Sequence, residues 1–374
     1  MTHKDKLYLF PSCIPVKGYA RSIIVDTQRR CYKFIPNVLY RILQEHNGDI
    51  IEHIMQLYGK ENCEIIEEYI EFLIENNFVF ISKNDITFNY NSIKNFDTPN
   101  HINNAQLDVG SIIPFNTIDL LSEHNCTVLQ IFVKETADIA LLLNLLGYVH
   151  KSRIASVYLN AKYSCEIEQN LQALLDQSNK LQQVLLTDAP RTETLRLGPC
   201  ESCIVYLINS DISSKMQCGT VHPNNFATNR QMMAETLCHS SCWHKKISID
   251  ANGFVRPCRF AEQVLGSIGD TPLTALAEQI VALSSTTKDQ VEVCRHCEFR
   301  RICPDCRVFT RNPQSPTAHL ARCAYNPYIA RWQGQAGYVP VDECGEFTPE
   351  GFMLDAEGIE RGLEQQDVLC WSSD

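Results

Sequence analysis

Four cysteines within thirteen residues constrain this chain more than any other feature of its sequence. They lie in CRHCEFRRICPDC, from Cys294 to Cys306, with the spacing Cys-x2-Cys-x5-Cys-x2-Cys. Thiols this dense, interrupted by Arg and Glu, are typical of metal ligands rather than of small buried apolar residues. A closed zinc site of four cysteines and thiolate-bound iron-sulfur clusters both use short spacings, so two kinds of metal site are open at this point.

Four further cysteines flank this run and raise the number of candidate ligands to eight. The Asn252-Gly253 pair lies between two alternating apolar segments and predicts a hairpin with a type I′ turn. That hairpin would fold the second segment back along the first and bring Cys258 close to Cys242. Eight thiols are enough for two complete four-thiolate sites. The flanking cysteines are Cys238, Cys242, Cys258 and Cys323.

The run Cys242-x10-Gly253-x4-Cys258, followed by the dense array and then Cys323, resembles the SPASM domain. This cysteine-rich module follows the catalytic barrel in many radical-SAM enzymes that modify peptides, and the resemblance implies two four-iron four-sulfur (4Fe-4S) clusters. The last array spacing is x2 where the general pattern has x3. The ligands implied for cluster II are Cys294, Cys297, Cys303 and Cys323. Those implied for cluster I are Cys242, Cys258, Cys306 and an upstream cysteine, Cys238 or its rival Cys218.

Composition and charge agree with metal binding inside a cell. The chain has eighteen cysteines, and its first residues, MTHKDKLYLF, lack the apolar run of a signal peptide. No apolar stretch reaches the length of about 18 residues that spans a membrane. We therefore expect a cytoplasmic protein without a membrane partner, in which a reducing environment favours metal ligation over disulfides. A net charge of −11 without a basic stripe argues against nucleic acid.

The first ninety residues predict a module of two strands, three helices and two strands. RSIIVD and CYKFI are the first strands, and FVFIS and DITFN predict a closing hairpin. Between them, Pro36 suits a first helical turn and Asp49 is a candidate N-cap of the second helix. The third helix carries acids opposite an apolar stripe. That stripe consists of Ile65, Ile66, Tyr69, Ile70 and Leu73.

This winged-helix-like order, with the wording IPNVLYRIL and EYIEFLIENNFVF, resembles the PqqD-like leader-recognition element of enzymes that mature ribosomally made peptides. The resemblance implies that a leader peptide adds a strand to an exposed sheet edge, at 22–26 or 31–35. DNA binding is the poorer alternative because the third helix is acidic, and a packing module without ligand is the other. The expected peptide contacts are Ser22, Ile23, Ile24, Val25, Asp26, Tyr32 and Phe34.

The middle of the chain predicts a parallel sheet. After an Asn-rich linker, five strand-like segments alternate with helical ones: LDVGSII, CTVLQIFV, IASVYLN, KLQQVLL and SCIVYLI. This alternation is typical of βαβ units. Because five strands are too few for an eight-stranded barrel, we expect a partial, degenerate (β/α) barrel related to the radical-SAM fold.

The residues that perform radical-SAM chemistry are absent from these segments. In that family the loop after the first barrel strand carries Cys-x3-Cys-x2-Cys, which leaves one iron open for S-adenosylmethionine. Here the corresponding loop, PFNTIDLLSEHN, contains no cysteine, and the nearest match elsewhere, CHSSCWHK, has Lys245 at the third position. We therefore expect no S-adenosylmethionine, and whether the chain is itself an enzyme stays open.

A narrower resemblance runs from about Leu7 to Trp332. SCIPVKGYARSIIVD, KISIDANG, LGSIGDT, VEVCRHCEFRRICPDCRVF and CAYNPYIARW are similar to the SPASM-domain peptide maturase of grasp-with-spasm systems, including the x2 spacing before Cys306. The resemblance implies two partners, a ribosomal precursor peptide and an ATP-grasp ligase. It predicts an accessory maturation protein that binds the leader and acts with the ligase. A redox enzyme that acts on the precursor through its clusters, and a zinc-stapled peptide-binding scaffold, are the alternatives.

The expected fold class is a multidomain combination of α/β and α+β. The predicted parts are a winged-helix-like module at 1–90, a linker at 91–104, the degenerate barrel at 105–210, the SPASM domain at 211–333 and a tail at 334–374. From Val341 onward the tail has ten acidic residues and one basic residue, which is most of the net charge of the protein. It predicts a solvated, partly disordered extension.

Overall fold

The computed structural model describes residues 5–93, 97–110, 115–134, 138–210 and 218–359. Its strands are β1 (Lys6–Leu9), β2 (Cys13–Val16), β3 (Ser22–Asp26), β4 (Cys31–Ile35), β5 (Val79–Ser82), β6 (Asn104–Val109), β7 (Val128–Val133), β8 (Ser156–Lys162), β9 (Leu181–Thr187), β10 (Glu193–Leu197), β11 (Cys203–Leu207), β12 (Lys246–Ile249), β13 (Phe254–Arg256), β14 (Gly266–Ser267), β15 (Tyr325–Asn326), β16 (Arg331–Trp332), β17 (Gly345–Thr348) and β18 (Gly351–Leu354). Its helices are α1 (Asn37–Glu45), α2 (Ile51–Tyr58), α3 (Cys63–Glu75), α4 (Phe115–Glu123), α5 (Ile139–Lys151), α6 (Cys165–Gln169), α7 (Leu171–Gln177), α8 (Arg230–Cys238) and α9 (Leu273–Leu283).

The chain forms two compact units. The sheet unit contains residues 98–219 and 242–285, and the array unit contains residues up to 97, 220–241 and 286 onward. This division differs from the predicted domains, because residues 242–285 belong with the sheet and the N-terminal module shares a unit with the dense cysteine array.

The sheet unit contains a nine-stranded sheet in the order β10-β11-β9-β8-β7-β6-β12-β13-β14. The six strands from β11 to β12 in this order run parallel. The large parallel sheet predicted from the alternating segments is therefore confirmed. Strand β10 was not predicted, and the expected loop after β6 is wrong from Phe115 onward, where α4 begins.

One face of this sheet is aliphatic, and the other carries polar side chains among apolar ones. Successive strands from β6 to β9 lie side by side, and the connecting helices α4, α5 and α7 pack into one core with the buried side chains of these strands. Leu107, Leu129 and Ile131 are fully buried in the core of this unit. On the alternate positions, the Gln106 amide donates to Gln130 Oε1 over 3.1 Å. Closure of the sheet into a partial barrel stays a prediction.

The predicted hairpin at Asn252-Gly253 forms, but its turn is not type I′. The Gly253 amide donates to the Asp250 carbonyl over 2.9 Å, and Gly253 alone has a positive φ in this turn, at 84°. A type I turn followed by a left-handed glycine has this form. The Asp250 carboxylate accepts from the amides of Asn252 and Phe254, which stabilises this turn instead of type I′.

The N-terminal part of the array unit departs from the predicted order of elements. The hairpin β3–β4 and the three helices are confirmed. The closing hairpin is wrong, because β5 pairs with β1 and residues 85–89 form no strand. Asp49 does not cap α2; its carboxylate contacts His46 Nδ1 at 2.9 Å. Ile65 is 44% exposed, so it lies outside the buried stripe of α3.

The sheet β2-β3-β4 is covered on both faces within the array unit. Ile24 and Ile35 pack into the helical core formed with α1, α2 and α3. Ile23 and Val25 point to the opposite face and pack with the cysteine array. The alternation of side chains along a strand thus joins the N-terminal helices to the array through one sheet.

The predicted disordered tail is folded as far as the structure describes it. The hairpin β17–β18 packs with Tyr328 and Ile329 in a small core that also buries Cys344. Arg311 binds Asp342 through two contacts of 2.7 and 2.8 Å. The expectation is therefore wrong for residues 341–359, and residues 360–374 of the tail lie outside the described residues. No helix in the described part of the chain has the length and apolar character needed to cross a bilayer.

Candidate metal centre

The four thiols predicted to hold cluster II surround one cavity in the array unit. The cavity has a volume of about 30 Å³, and Cys294, Cys297, Cys303 and Cys323 all line it. The rest of its wall is largely apolar. That wall includes Val221, Phe226, Phe299, Leu320, Tyr325 and Trp332.

Short turns rather than long elements aim three of these thiols. Two 3₁₀ turns, Cys294–His296 and Glu298–Arg301, follow each other with Cys297 between them. The Cys303 amide donates to the Phe299 carbonyl over 2.9 Å and fixes the next thiol. Val293, immediately before the array, has a φ of 60°, which costs a β-branched residue about 1–3 kcal/mol. The surrounding packing must supply this energy.

The thiols that line the cavity are poor acids as free side chains. Burial raises the pKa of Cys294 and of Cys323 to about 12, and it raises the pKa of Cys297 and Cys303 as well. Metal ligands bind as thiolates, so loading this site must release protons. Next to Cys294 Sγ, at 3.6 Å, is His319 Nδ1. Burial, and then Arg311 and Arg307, lower the pKa of His319 to about 3, so this ring is neutral.

Lys288 is a functional candidate that sequence reasoning missed. Its side chain lines the cavity, is 3% exposed, and donates from Nζ to the Cys303 carbonyl. Burial opposes its charge, but Cys303, Asp305 and the other nearby thiols outweigh burial and raise the pKa of Lys288. A buried ammonium at this position would offset the negative charge of thiolates. Its sequence context, STTKDQ, looks like an ordinary exposed loop and gave no signal.

No single-ion site accompanies the cavity in the described part of the chain. No three Cys, His, Asp or Glu side chains there form a group that could hold a metal ion. A tetrahedral zinc with Zn–S bonds of about 2.3 Å requires thiols about 3.8 Å apart. Ligation of a cluster by these four thiols stays a prediction.

A buried ion pair connects the array to the N-terminal sheet. Arg21 Nε lies 2.9 Å from Glu298 Oε1, and Glu298 is fully buried between Cys297 and Phe299. Tyr325 also donates from its hydroxyl to Glu298 Oε1. Burial raises the pKa of Glu298 in spite of Arg21. A charge pair this well buried makes the structure depend on both partners.

Gly18 allows this close approach. A Cβ atom at this position would lie 2.2 Å from the Arg21 carbonyl oxygen and 2.9 Å from Glu298 Cβ. The backbone of the β2–β3 connection therefore needs glycine to pass beside the array. This glycine was not recognised in the sequence because its neighbour, Glu298, is almost three hundred residues away.

The thiols predicted for cluster I are divided between the units. Cys238 and Cys306 belong to the array unit, and Cys242, Cys258 and Cys218 belong to the sheet unit. In the array unit, Ser240 and Ser241 donate to Asp305 Oδ1 over 3.4 and 3.2 Å, which places the end of α8 beside the array. Cys306 is buried, Cys218 is half-buried and Cys238 is exposed. Cluster I stays a prediction.

The expected peptide edge at 22–26 is wrong. β3 is the central strand, hydrogen-bonded to β2 on one side and β4 on the other. Ser22, Ile23, Ile24 and Val25 are fully buried, and Asp26 is 2% exposed. Pattern alone identified the strand but could not say how many neighbours it has.

The alternative edge at 31–35 is present. In the described structure β4 pairs only with β3. Its side chains Tyr32 and Phe34 already contact Phe299, with ring centroids 5.8 and 5.9 Å apart. Peptide addition at β4 would therefore use its backbone, with Cys31 and Lys33 as the exposed side chains. Leader binding at this edge stays a prediction.

Comparisons with known proteins find fold-level similarity only. No protein-family model and no curated protein matches the chain. Among solved structures, SuiB from Streptococcus suis bound to S-adenosylmethionine is similar, with 11% identity, a TM-score of 0.39, and coverage of 84% of this chain and 98% of SuiB. SuiB bound to its precursor peptide SuiA has 10% identity, a TM-score of 0.31 and the same coverage. At these scores the function must be argued from the chain itself, and the expectation of no S-adenosylmethionine stays a prediction.

Proposed function

We propose that this chain is a maturation protein for a ribosomally synthesised, post-translationally modified peptide, with two 4Fe-4S clusters in its cysteine-rich part. The observation that carries the proposal is the enclosure of Cys294, Cys297, Cys303 and Cys323 around one cavity. Four thiolates are the usual ligand set of such a cluster. Lys288, buried at the same cavity, supports a negatively charged occupant.

For cluster I we propose Cys242, Cys258 and Cys306 with Cys218 as the fourth ligand. The exposed position of Cys238 favours Cys218, which is half-buried like Cys242 and Cys258. A cluster ligand in an exposed position would make the cluster accessible to solvent and oxidants. A cluster with four protein thiolates has no open iron, so these clusters would shape the domain or carry electrons rather than bind substrate.

The peptide-binding part of the proposal depends on the N-terminal module. Strand β4 offers a sheet edge of five residues, and its inner face is fixed to the array by Tyr32 and Phe34. A leader added at β4 would lie in the same unit as cluster II, and recognition would use backbone hydrogen bonds. The ATP-grasp ligase as a second partner is supported by the sequence resemblance.

The first experiment is metal and sulfide analysis of protein purified without oxygen, with electron paramagnetic resonance spectra before and after reduction. Two clusters predict about eight irons and eight sulfides per chain. Cys297→Ser should lower both to about four, whereas Cys63→Ser, which changes a half-buried thiol in α3, should leave them unchanged. Zinc without sulfide would contradict the proposal and favour the zinc-stapled scaffold.

Three further measurements test the remaining assignments. Cys218→Ser should remove one cluster and Cys238→Ser should not; the reverse result would restore Cys238 as the ligand. Added leader peptide should slow hydrogen exchange of the amides in β4. Modification of the precursor by the ligase should require this chain, and unchanged modification in its absence would contradict the accessory role.

A further inference from the structure

A second concave surface of the array unit lies beside the cluster II cavity. It is an open cleft of about 700 Å³, within the size range of ligand sites. Three parts of the chain form it: the β2–β3 connection, helix α1 and the two 3₁₀ turns of the array. The residues that define it are Lys17, Tyr19, Tyr40, Arg41, Arg295 and Arg300. Arg300 also lines the cluster II cavity, so the two sites share a wall.

The cleft is basic in a protein that is otherwise acidic. Lys17, Arg41 and Arg295 are exposed, and none of them forms an ion pair with another described residue. Glu45 is the one acidic residue that lines it. The net charge of the protein is −11, so this concentration of positive charge is local. Clefts lined by one sign of charge attract ligands of the opposite sign.

The fourth cation of the cleft, Arg300, is paired within the protein, whereas Lys17, Arg41 and Arg295 form no ion pair with another described residue. Arg300 binds Asp289 Oδ1 at 2.9 Å and the Cys297 carbonyl at 2.9 Å, so its charge is used within the protein.

Hydrogen bonds to backbone carbonyls hold the walls of the cleft in place. The Tyr19 amide donates to the His296 carbonyl over 2.8 Å, and Asn37 Nδ2 donates to the Tyr19 carbonyl over 2.8 Å. Arg300 also donates to the Lys17 carbonyl. The β2–β3 connection is therefore tied to both α1 and the array, and the cations are presented on a preformed surface. Preformed sites lose less entropy when a ligand binds.

We propose that this cleft binds an acidic stretch of peptide through side-chain carboxylates. This inference rests on the proposed function and names the chemistry of the precursor segment that would dock beside cluster II. A peptide suits the cleft better than a nucleic acid, because three cations offer few phosphate contacts and the net charge of −11 disfavours a long polyanion. Tyr19 and Tyr40 add apolar contact area for the peptide chain.

The test uses the full, cluster-loaded chain and fluorescent decapeptides that are rich in Glu, Gln or Lys. The Glu peptide should bind, with affinity that falls as salt rises, and the Gln and Lys peptides should not. Replacing Lys17, Arg41 and Arg295 together with Gln should weaken binding about tenfold, since exposed charge pairs contribute modestly each. The matched control replaces Arg30, Lys60 and Lys83 with Gln, which changes the net charge equally outside the cleft and should leave binding unchanged.

Each outcome bears on the cleft separately from the proposed function. Equal weakening by both triple variants, or tighter binding of a single-stranded DNA decamer that the cleft variant abolishes, would overturn the inference. Iron content, measured on every variant, shows whether Arg295 replacement has disturbed the adjacent array; Lys17→Gln with Arg41→Gln then repeats the test without touching it. Protein that holds its clusters and binds leader at β4 but ignores the Glu peptide would refute the cleft alone. Protein without iron that still binds the Glu peptide would refute the cluster proposal alone.

Discussion

The cores of the two units are built from different chemistry. The sheet unit buries aliphatic side chains such as Leu107, Leu129 and Ile131, and its stability comes from apolar burial. The array unit buries Lys288 and Glu298 among thiols and aromatic rings. Buried charges require partners, so this core depends on specific contacts and, under the proposed function, on its cluster. We therefore expect the core of the sheet unit to tolerate exchange among hydrophobic residues and the core of the array unit not to tolerate it.

Removing the cluster should show the difference in stability between the two cores most clearly. After anaerobic treatment with an iron chelator, amides in residues 294–306 should lose most of their protection from hydrogen exchange, because metal-binding energy there is folding energy. Strands β6 to β9 should keep their protection. Equal loss in both units would show that the sheet also depends on the cluster, and no loss in either would contradict a structural role for it.

Arg21→Met should destabilise the array unit by about 3–5 kcal/mol, because it leaves the buried Glu298 carboxylate without its cation. Chemical denaturation followed by Tyr and Trp fluorescence measures this change. The double variant Arg21→Met, Glu298→Gln should recover part of the loss, since no unpaired charge remains. If the double variant is worse than the single one, the pair is not the origin of the effect.

Leu129→Ala should cost about 2–5 kcal/mol in the sheet unit, where this residue is fully buried in the central strand β7. Urea denaturation followed by circular dichroism gives the free energy of unfolding. Iron content should not change, because the side chain belongs to the other core. Loss of iron in this variant would mean that the two cores are not energetically distinct.

Lys288→Met should lower the reduction potential of cluster II by on the order of 50–100 mV, because a buried positive charge stabilises the more negative reduced state. Redox titration followed by electron paramagnetic resonance measures the shift. Lys288→Arg keeps the charge and serves as the control. An unchanged potential in the Met variant would place Lys288 in a purely structural role.

Asp26→Asn should have the smallest effect, about 1–2 kcal/mol, since it removes the charge that holds the β3–β4 turn. Burial disfavours this carboxylate, but hydrogen bonds from the Arg29 amide and guanidinium, at 2.9 and 2.5 Å, lower the pKa of Asp26 below 3.8. The stabilisation is therefore present above about pH 3.8 and is lost as pH falls through the lower folded value. Stability of the wild type and variant, measured between pH 2 and 6, should converge at the acidic end.

Sequence reasoning succeeded where the signal was local. The hairpin β3–β4, helix α1, the apolar stripe of α3 from Ile66 onward and the parallel strands were all readable from short periodic patterns. It failed where structure depends on distant partners: β1 pairs with β5 across seventy residues, and β12 joins β6 although it was assigned to another domain. Lys288 was missed for the same reason, since it is buried only by residues from distant parts of the chain.

The sequence by itself determined that thiols are concentrated between Cys294 and Cys306, because their spacing is a local property of thirteen residues. It also determined several of the strands and helices, among them β3, β4 and α1, through the periodicity of apolar residues. The tertiary structure alone decided that β3 has no free edge, that Cys323 reaches the cavity of the array, and that Lys17, Arg41 and Arg295 face one cleft. Each of these depends on contacts between segments far apart in the chain, and no local pattern encodes which segments meet.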